Sequence, residues 1–223
     1  MKLFMHPVST AARPIRLFIA ENGIACEEVF VDLMTGAHLQ EPYASLNPNQ
    51  LVPMLEDDGF RLTESSAILK YLADKYGLPS YPKELRQRAR VNETMDWLNT
   101  QLYREFGYNF VYPQLFPHHK RRSDEAHAGC IEWGEKGARR WLQLLDQHWI
   151  ADKPYLCGNE ISIADYFGSA LVSLGELVGC GFDDYPNIRR WLGNMKQLKS
   201  WPQVNEVFEN IVAGNRDKAF ARV

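Results

Sequence analysis

Residues 47–68 read NPNQLVPMLEDDGFRLTESSAI. Two short apolar runs, at residues 52–56 and 60–62, flank the turn residues Asp57-Asp58-Gly59. An Asp-Gly pair between two apolar runs predicts a β-hairpin. Apolar residues at helical spacing follow at 65–76, so a helix is predicted directly after the hairpin. The segment therefore predicts a strand, a tight turn, a second strand and a helix in immediate succession.

The residues before this segment supply two more strands and a helix. Residues 2–5 form a short apolar run, and residues 11–21 carry helical spacing that ends at Asn22-Gly23. Residues 27–31 have the β-branched and aromatic composition of a strand. The predicted order β-α-β-(α)-β-β-α corresponds to a four-stranded mixed sheet with helices packed on it.

After this α/β unit the strand patterns end. Residues 77–82 hold one glycine and two prolines, which predict a linker. Amphipathic helices are predicted at 84–111, 124–150, 163–178, 186–196 and 201–212. We therefore predict an α/β domain at 1–77, a linker at 78–87 and an all-α helical bundle at 88–223.

Composition excludes several classes of protein. The chain has 223 residues and a net charge of −3, so it is not predicted to bind nucleic acid or an anionic membrane. The N-terminal apolar run is too short for a signal peptide, and no run reaches the ~18 apolar residues of a membrane span. The four cysteines have no CxxC or metal-ligand spacing. We expect a cytoplasmic protein with free thiols and no metal.

The turn after the first strand, residues 7–13, has the pattern Pro-x-Ser-x-x-x-Arg, with Ser9 as its third residue. This pattern resembles the serine-type classes, theta and delta among them, of the cytosolic glutathione transferase superfamily. The resemblance implies that the Ser9 hydroxyl donates a hydrogen bond to the sulfur of glutathione. Such a bond favours the thiolate, which is the reactive form of a thiol. Thr10 is an alternative partner for the sulfur, and helix capping by either hydroxyl is a competing explanation.

Two further segments resemble the same family. Residues 47–55 match its Asn-Pro-x-x-x-Val-Pro-x-Leu pattern, which implies a cis bond before Pro53 and backbone pairing of Val52 with the cysteinyl part of glutathione. Gln50 and Leu51 are included among the implied contacts, although theta and delta members often carry a histidine at the position of Gln50.

Residues 62–68 match the family's Glu-Ser-x-Ala-Ile pattern. The resemblance implies that Glu64 binds the γ-glutamyl ammonium, while Ser65 and the helix N-terminus bind the adjacent carboxylate. Capping of the helix by Thr63 is the competing explanation.

The helical half carries a fourth similarity. Ser162 and Asp165 stand at the N-cap and N3 positions of a capping box, which resembles the folding motif of the family's second domain. Aromatic residues follow one another along the predicted helix 84–111. The family's electrophile pocket lies in this region, so Tyr103, Phe106 and Phe110 are expected to line it, although aromatic stripes more often belong to a core.

The resemblance implies a glutathione transferase with a thioredoxin-like N-terminal domain. Glutathione is expected to act as a co-substrate with no separate cofactor, and a small, apolar electrophile as the second substrate. The family implies a homodimer. Two alternatives remain: a non-catalytic binding or interaction protein of the same fold, and a glutathione-dependent isomerase or dehalogenase.

Overall fold

The computed structural model describes all 223 residues, and its N-terminal third contains one four-stranded sheet. The strands are β1 Lys2–Met5, β2 Glu27–Phe30, β3 Met54–Asp57 and β4 Phe60–Leu62. Their order in the sheet is β2-β1-β3-β4, in which β1 pairs parallel with β2 and antiparallel with β3. This is the mixed sheet predicted from the sequence. Leu3 and Met5 of β1 point into the core, as the two-residue period of a strand requires.

The predicted hairpin joins β3 and β4. Asp57 pairs with Phe60, so the loop consists of Asp58 and Gly59 alone. Both residues have positive φ, 48° and 83°. Two-residue hairpins favour such backbone angles because they match the twist of the strands, and an Asp-Gly pair adopts them at low cost.

Three helices accompany the sheet: α1 Arg13–Glu21, α2 Tyr43–Leu46 and α3 Ser65–Lys75, with a short 3-10 turn at Ala37–Leu39. The first begins two residues later than predicted because the chain makes a separate turn before it. In that turn the Ser9 carbonyl accepts hydrogen bonds from the N–H groups of Ala12 and Arg13. Pro14 then occupies the first turn of α1, where its missing N–H costs nothing.

The remainder of the chain is helical. Its α-helices are α4 Leu85–Trp97, α5 Tyr112–Leu115, α6 Asp124–Leu144, α7 Ile163–Val172, α8 Pro186–Lys196 and α9 Trp201–Gly214. A 3-10 turn at Pro117–His119 separates α5 from α6. None of the helices combines the length and apolar composition needed to cross a membrane.

Three predicted helices change their winding along their length. Beyond α4 the chain continues with π-type hydrogen bonds over Leu98–Val111, α6 continues in the same way over Leu145–Ile150, and α7 ends in a 3-10 segment at Ser173–Val178. Apolar spacing predicts uninterrupted helices because it does not indicate which carbonyl accepts the hydrogen bond of each backbone N–H.

One continuous core of 47 buried residues joins the sheet half and the helical half. Arg13 lies fully buried at the junction. Its guanidinium donates to Asn205 Oδ1 at 2.9 Å, to the Ala170 carbonyl at 2.9 Å and to Ser173 Oγ at 3.1 Å. It also lies 3.7 Å over the Phe208 ring. Burial lowers the pKa of Arg13 to about 10. The start of α1 is thereby tied to α7, to the 3-10 segment after it and to α9.

Candidate active site

A cavity of about 660 Å³ opens between the two halves of the chain. One wall comes from residues 47–53, from residues 63–66 and from Ala11, and the other wall comes from the helical half. The structure thus brings together the three N-terminal segments that the sequence analysis selected. Leu51, Val52, Pro53, Glu64 and Ser65 all line the cavity. Ser9 lies two residues before Ala11 and Gln50 directly before Leu51, but neither of these two side chains is part of the lining.

The segment before β3 presents free backbone groups to the cavity. The Val52–Pro53 peptide bond is cis, as the resemblance predicted. Neither the N–H nor the C=O of Val52 has a hydrogen-bond partner within the chain, although the residue is buried. Buried backbone groups are almost always paired, so these two are available to a ligand. The preceding carbonyl, that of Leu51, is held by the Tyr43 hydroxyl at 2.5 Å and by Asn47 Nδ2 at 2.7 Å.

The N-terminus of α3 is open toward the same cavity. Glu64 is the N-cap residue, and no side chain caps the helix, so the competing explanation of Thr63 as the cap is wrong. The first N–H groups of an α-helix have no intrahelical partner and attract negative charge. The Glu64 carboxylate forms no ion pair or hydrogen bond within the chain. This end of the cavity therefore offers N–H donors beside a free carboxylate, which suits a zwitterionic α-amino acid group.

One lining residue, Glu64, and the residue before the lining residue Leu51, Gln50, have strained backbones. Gln50 has φ 54° and Glu64 has φ 63°, in the left-handed region that residues with a Cβ avoid. Each such residue costs of order ~1–3 kcal/mol and persists only where its surroundings enforce it. Asp58, Ala151 and Phe182 also have positive φ but do not line the cavity, so positive φ by itself does not mark the site.

Ser65 has a different partner from the predicted one. Its hydroxyl donates to the Ala11 carbonyl at 2.7 Å, and the side chain is buried. A serine hydroxyl has a single proton. With that proton committed, contact with a ligand carboxylate would come from the backbone N–H groups of Ser65 and Ser66. The Ser65 hydroxyl holds the Ser9 turn against α3.

The Ser9 turn carries two hydroxyls in different surroundings. Ser9 is half-buried, and its Oγ accepts the Ala12 N–H at 3.2 Å, which leaves its own proton free to donate. Thr10 is buried, and its Oγ1 accepts from the Tyr112 hydroxyl at 3.0 Å. The N-cap of α1 is Ala12 and has no side-chain cap, so neither Ser9 nor Thr10 is the helix cap.

The opposite wall of the cavity is formed by tyrosines. Tyr103, Tyr108 and Tyr112 line it, with ring centroids 4.9 Å apart for the first pair and 5.2 Å for the second. The hydroxyls of Tyr103 and Tyr112 are 2.6 Å apart. Burial raises the pKa of Tyr112 to about 12 and raises that of Tyr103 well above its ordinary value. Both hydroxyls therefore stay protonated and can donate hydrogen bonds.

Two of the three predicted pocket aromatics are placed elsewhere. Phe106 and Phe110 are almost fully buried in the core and do not line the cavity, whereas Tyr103 does. The expectation was wrong for both phenylalanines because they occupy the core-facing side of the segment. The tyrosines that face the cavity are at positions 103, 108 and 112. Their spacings of five and four residues fit the π-type winding of this segment.

Several other lining residues are not among those predicted from the sequence. They are Asn47, Asn49, Ser66, Asn99, Thr100, Arg104, His119, Phe167 and Leu171. Asn99 and Thr100 lie one turn before Tyr103, so the helical period of the cavity face was the signal that could have found them. Phe167 and Leu171 come from α7, which no local pattern connects with this cavity.

Models of known families match both halves of the chain. The model described as "Glutathione S-transferase, N-terminal domain" matches residues 1–74, and "Glutathione S-transferase, C-terminal domain" matches residues 116–199. Human glutathione S-transferase theta-1 is 34% identical, covering 86% of this chain and 80% of that protein. Human theta-2B is 33% identical, with 88% and 80% covered.

A solved structure of the same family is also similar to this chain. A structure of human glutathione transferase theta-2 in complex with glutathione superposes with a TM-score of 0.85 at 28% identity, covering 99% of this chain and 92% of that one. The fold, the cavity and these similarities converge on one conclusion. The chain belongs to the glutathione S-transferase family, as a theta-like member.

Proposed function

We propose that this protein is a glutathione transferase in which Ser9 stabilises the thiolate of glutathione for attack on a small, apolar electrophile. The observation that carries the proposal is the convergence on one cavity of the free Val52 backbone, the open N-terminus of α3 and the Ser9 turn. These groups match the cysteinyl, γ-glutamyl and sulfur parts of one small peptide.

The γ-glutamyl end of glutathione carries a carboxylate and an ammonium group. The free N–H groups at the start of α3 suit the carboxylate, and the unpaired Glu64 carboxylate suits the ammonium. The cysteinyl backbone would pair with the N–H and C=O of Val52 next to Pro53, while Gln50 and Leu51 lie toward the glycyl end. Relatives of this chain carry the name glutathione S-transferase, and a theta-2 structure contains glutathione, which supports the same ligand here.

The chemical contribution of Ser9 is a hydrogen bond to the sulfur. A free thiol has a pKa of about 8.5, so little thiolate is present at neutral pH. A hydroxyl donor at the start of a helix favours the charged form through its hydrogen bond and through the helix dipole. The proton of Ser9 is free for this role because its oxygen serves as the local acceptor in the turn.

The electrophile would bind on the tyrosine wall. Tyr103, Tyr108 and Phe167 provide aromatic surface opposite the glutathione side of the cavity. Holding two reactants side by side supplies a further part of the rate enhancement. In this arrangement residues 1–77 bind glutathione, residues 88–223 bind the electrophile, and residues 78–87 connect them.

We extend the proposal to a homodimer in the cytoplasm. All four cysteines are free thiols, in keeping with a reducing compartment. Two large apolar side chains, Phe60 on β4 and Trp133 on α6, are 50% and 68% exposed and could be covered by a second subunit. Analytical ultracentrifugation of the purified chain would test the dimer, because a monomer at micromolar concentration would contradict it.

The test of the catalytic assignment compares Ser9→Ala with Thr10→Ala. The ultraviolet absorbance of the bound thiolate and the turnover of a panel containing an aryl halide, an alkyl halide and an epoxide are measured against pH. For Ser9→Ala we expect glutathione binding to persist, the pKa of the bound thiol to rise, and turnover at neutral pH to fall by about 10- to 100-fold.

Ser123→Ala is the matched control. Its Oγ also accepts a backbone N–H, that of Ala126 at 3.1 Å, but it lies at the start of α6 and outside the cavity. A larger loss in Thr10→Ala, with a shifted pH profile, would assign the sulfur contact to Thr10. Binding of glutathione without turnover of any electrophile by the unmodified protein would favour a non-catalytic binding protein.

A further inference from the structure

Three contacts hold the Ser9 turn in place. The Ala11 carbonyl accepts the Ser65 hydroxyl, and the Arg13 guanidinium is buried against the helical half. The third contact is the hydrogen bond from the Tyr112 hydroxyl to Thr10 Oγ1 at 3.0 Å, which crosses from the helical half to the residue next to Ser9. Thr10 directly follows Ser9 in the chain. Of these three contacts, the one from Tyr112 to Thr10 is therefore made by the residue nearest in sequence to the proposed catalytic hydroxyl.

This contact is the end of a chain of three hydroxyls. The Tyr112 proton is used in the bond to Thr10, so the 2.6 Å contact with Tyr103 requires Tyr103 to donate to the Tyr112 oxygen. Each hydroxyl has one proton, and the direction of the whole chain is therefore fixed from Tyr103 to Tyr112 to Thr10. Thr10 and Tyr112 are buried, where hydrogen bonds are stronger and polarise one another.

We propose that Tyr112 is a positioning residue for the thiolate site: by fixing Thr10 it sets the orientation of the Ser9 hydroxyl, and glutathione ionisation thereby depends on the helical half. This inference rests on the proposed function of Ser9. Tyr112 does not itself need to touch the sulfur. Because Tyr103 and Tyr112 also line the cavity wall assigned to the electrophile, the hydroxyl chain connects the electrophile side of the cavity with the sulfur side.

Two variants remove the same hydrogen bond from opposite ends. Tyr112→Phe keeps the ring and removes the hydroxyl, and Thr10→Val keeps the shape of the side chain and removes its oxygen. Losing one neutral hydrogen bond of this kind changes an equilibrium constant by about three- to tenfold. We expect the pKa of bound thiol to rise by about 0.5 to 1 in each variant, with kcat/KM below that pKa falling by about three- to tenfold. The dissociation constant of glutathione should stay within about twofold.

The controls separate positioning from packing. Thr10→Ser restores the oxygen and should return the pH profile toward that of the unmodified protein. Tyr81→Phe removes another buried tyrosine hydroxyl, which donates to Asn92 of α4 at 3.0 Å, and it should leave the profile unchanged. The other ionisable residues that line the cavity, and the buried Arg13 beside the turn, are identical in every variant; the lining ones are Glu64, Tyr103, Arg104, Tyr108 and His119.

A double variant, Tyr112→Phe with Thr10→Val, completes the test. If the two residues act as one unit, the double variant should shift the thiol pKa no further than either single variant. Unshifted pH profiles in both single variants would overturn the proposal, as would fully additive shifts. If Ser9→Ala alone fails to move the profile, the proposed role of Ser9 is wrong, whereas a shift in Ser9→Ala without one in Tyr112→Phe refutes only the positioning role.

Discussion

Asp165 is the side chain on which the helical half should depend most strongly. It is fully buried at the start of α7, and its carboxylate accepts four hydrogen bonds at 2.8 Å. Oδ1 accepts from the Leu156 N–H and the Trp191 indole, while Oδ2 accepts from the N–H and hydroxyl of Ser162. Burial raises the pKa of Asp165, and the four donors oppose that rise.

Asp165→Ala would leave the Leu156 N–H, the Ser162 N–H and the Trp191 indole N–H buried without an acceptor. Each unsatisfied buried donor costs about 1–3 kcal/mol, so the three together predict a loss of at least about 3 kcal/mol in the free energy of unfolding. For a chain of this size a loss of about 3 kcal/mol lowers the melting temperature by about 6–12 °C. Urea unfolding followed by circular dichroism measures the change.

Asp165→Asn makes the experiment sharper. The amide keeps an acceptor for Leu156 and Trp191 but turns an NH₂ group toward the Ser162 N–H, so two donors face each other. We expect about half the loss of the alanine variant. An asparagine variant as stable as the unmodified protein would mean that the buried carboxyl is protonated. An alanine variant within about 1 kcal/mol of the unmodified protein would refute the reasoning altogether.

Three other outcomes follow from the structure. A Cβ at Gly134 would lie 2.5 Å from the Asn109 carbonyl, so Gly134→Ala should cost about 1–3 kcal/mol in urea unfolding, whereas Gly129→Ala on the same helix has open space and should not destabilise. Burial lowers the pKa of His6 below its ordinary value of 6.5, so the unfolded chain binds that proton more readily. The free energy of unfolding should therefore rise with pH just below 6.5, and His6→Gln should reduce that slope. Glu64→Ala should weaken glutathione binding at least about tenfold by calorimetry, since one charge-assisted contact contributes about 1.5–3 kcal/mol; an unchanged dissociation constant would contradict the assigned contact.

Local sequence signals predicted much of this fold. The Asp58-Gly59 pair predicted the hairpin because only a few residues adopt two successive positive φ angles. The Ser162 and Asp165 spacing predicted the capping box, which the structure confirms. In both cases the chemistry that sets the structure lies within a few residues. The resemblance of three separate segments then identified one cavity wall before any geometry was known.

The parts that the sequence did not reveal depend on contacts between distant residues. The aromatic pattern predicts Phe106 and Phe110 in the pocket because such a pattern does not indicate which side of the helix faces the core. The resemblance assigns the Ser65 hydroxyl to glutathione, whereas in the fold this hydroxyl donates to the Ala11 carbonyl at 2.7 Å. The bond between Thr10 and Tyr112 joins positions 102 residues apart, and no local pattern encodes such a pair.

The positive φ of Glu64 has a consequence for how this protein tolerates change. A backbone that a glycine would adopt freely is imposed on a residue whose carboxylate faces the cavity. Replacement by glycine would relieve strain and favour thermal stability, while it would remove the charge from the site. On the proposed role of Glu64, selection for heat resistance alone would erode glutathione recognition at this position, whereas selection for recognition would hold the fold below its attainable stability. Thermal stability and ligand recognition would then favour different amino acids at this one position.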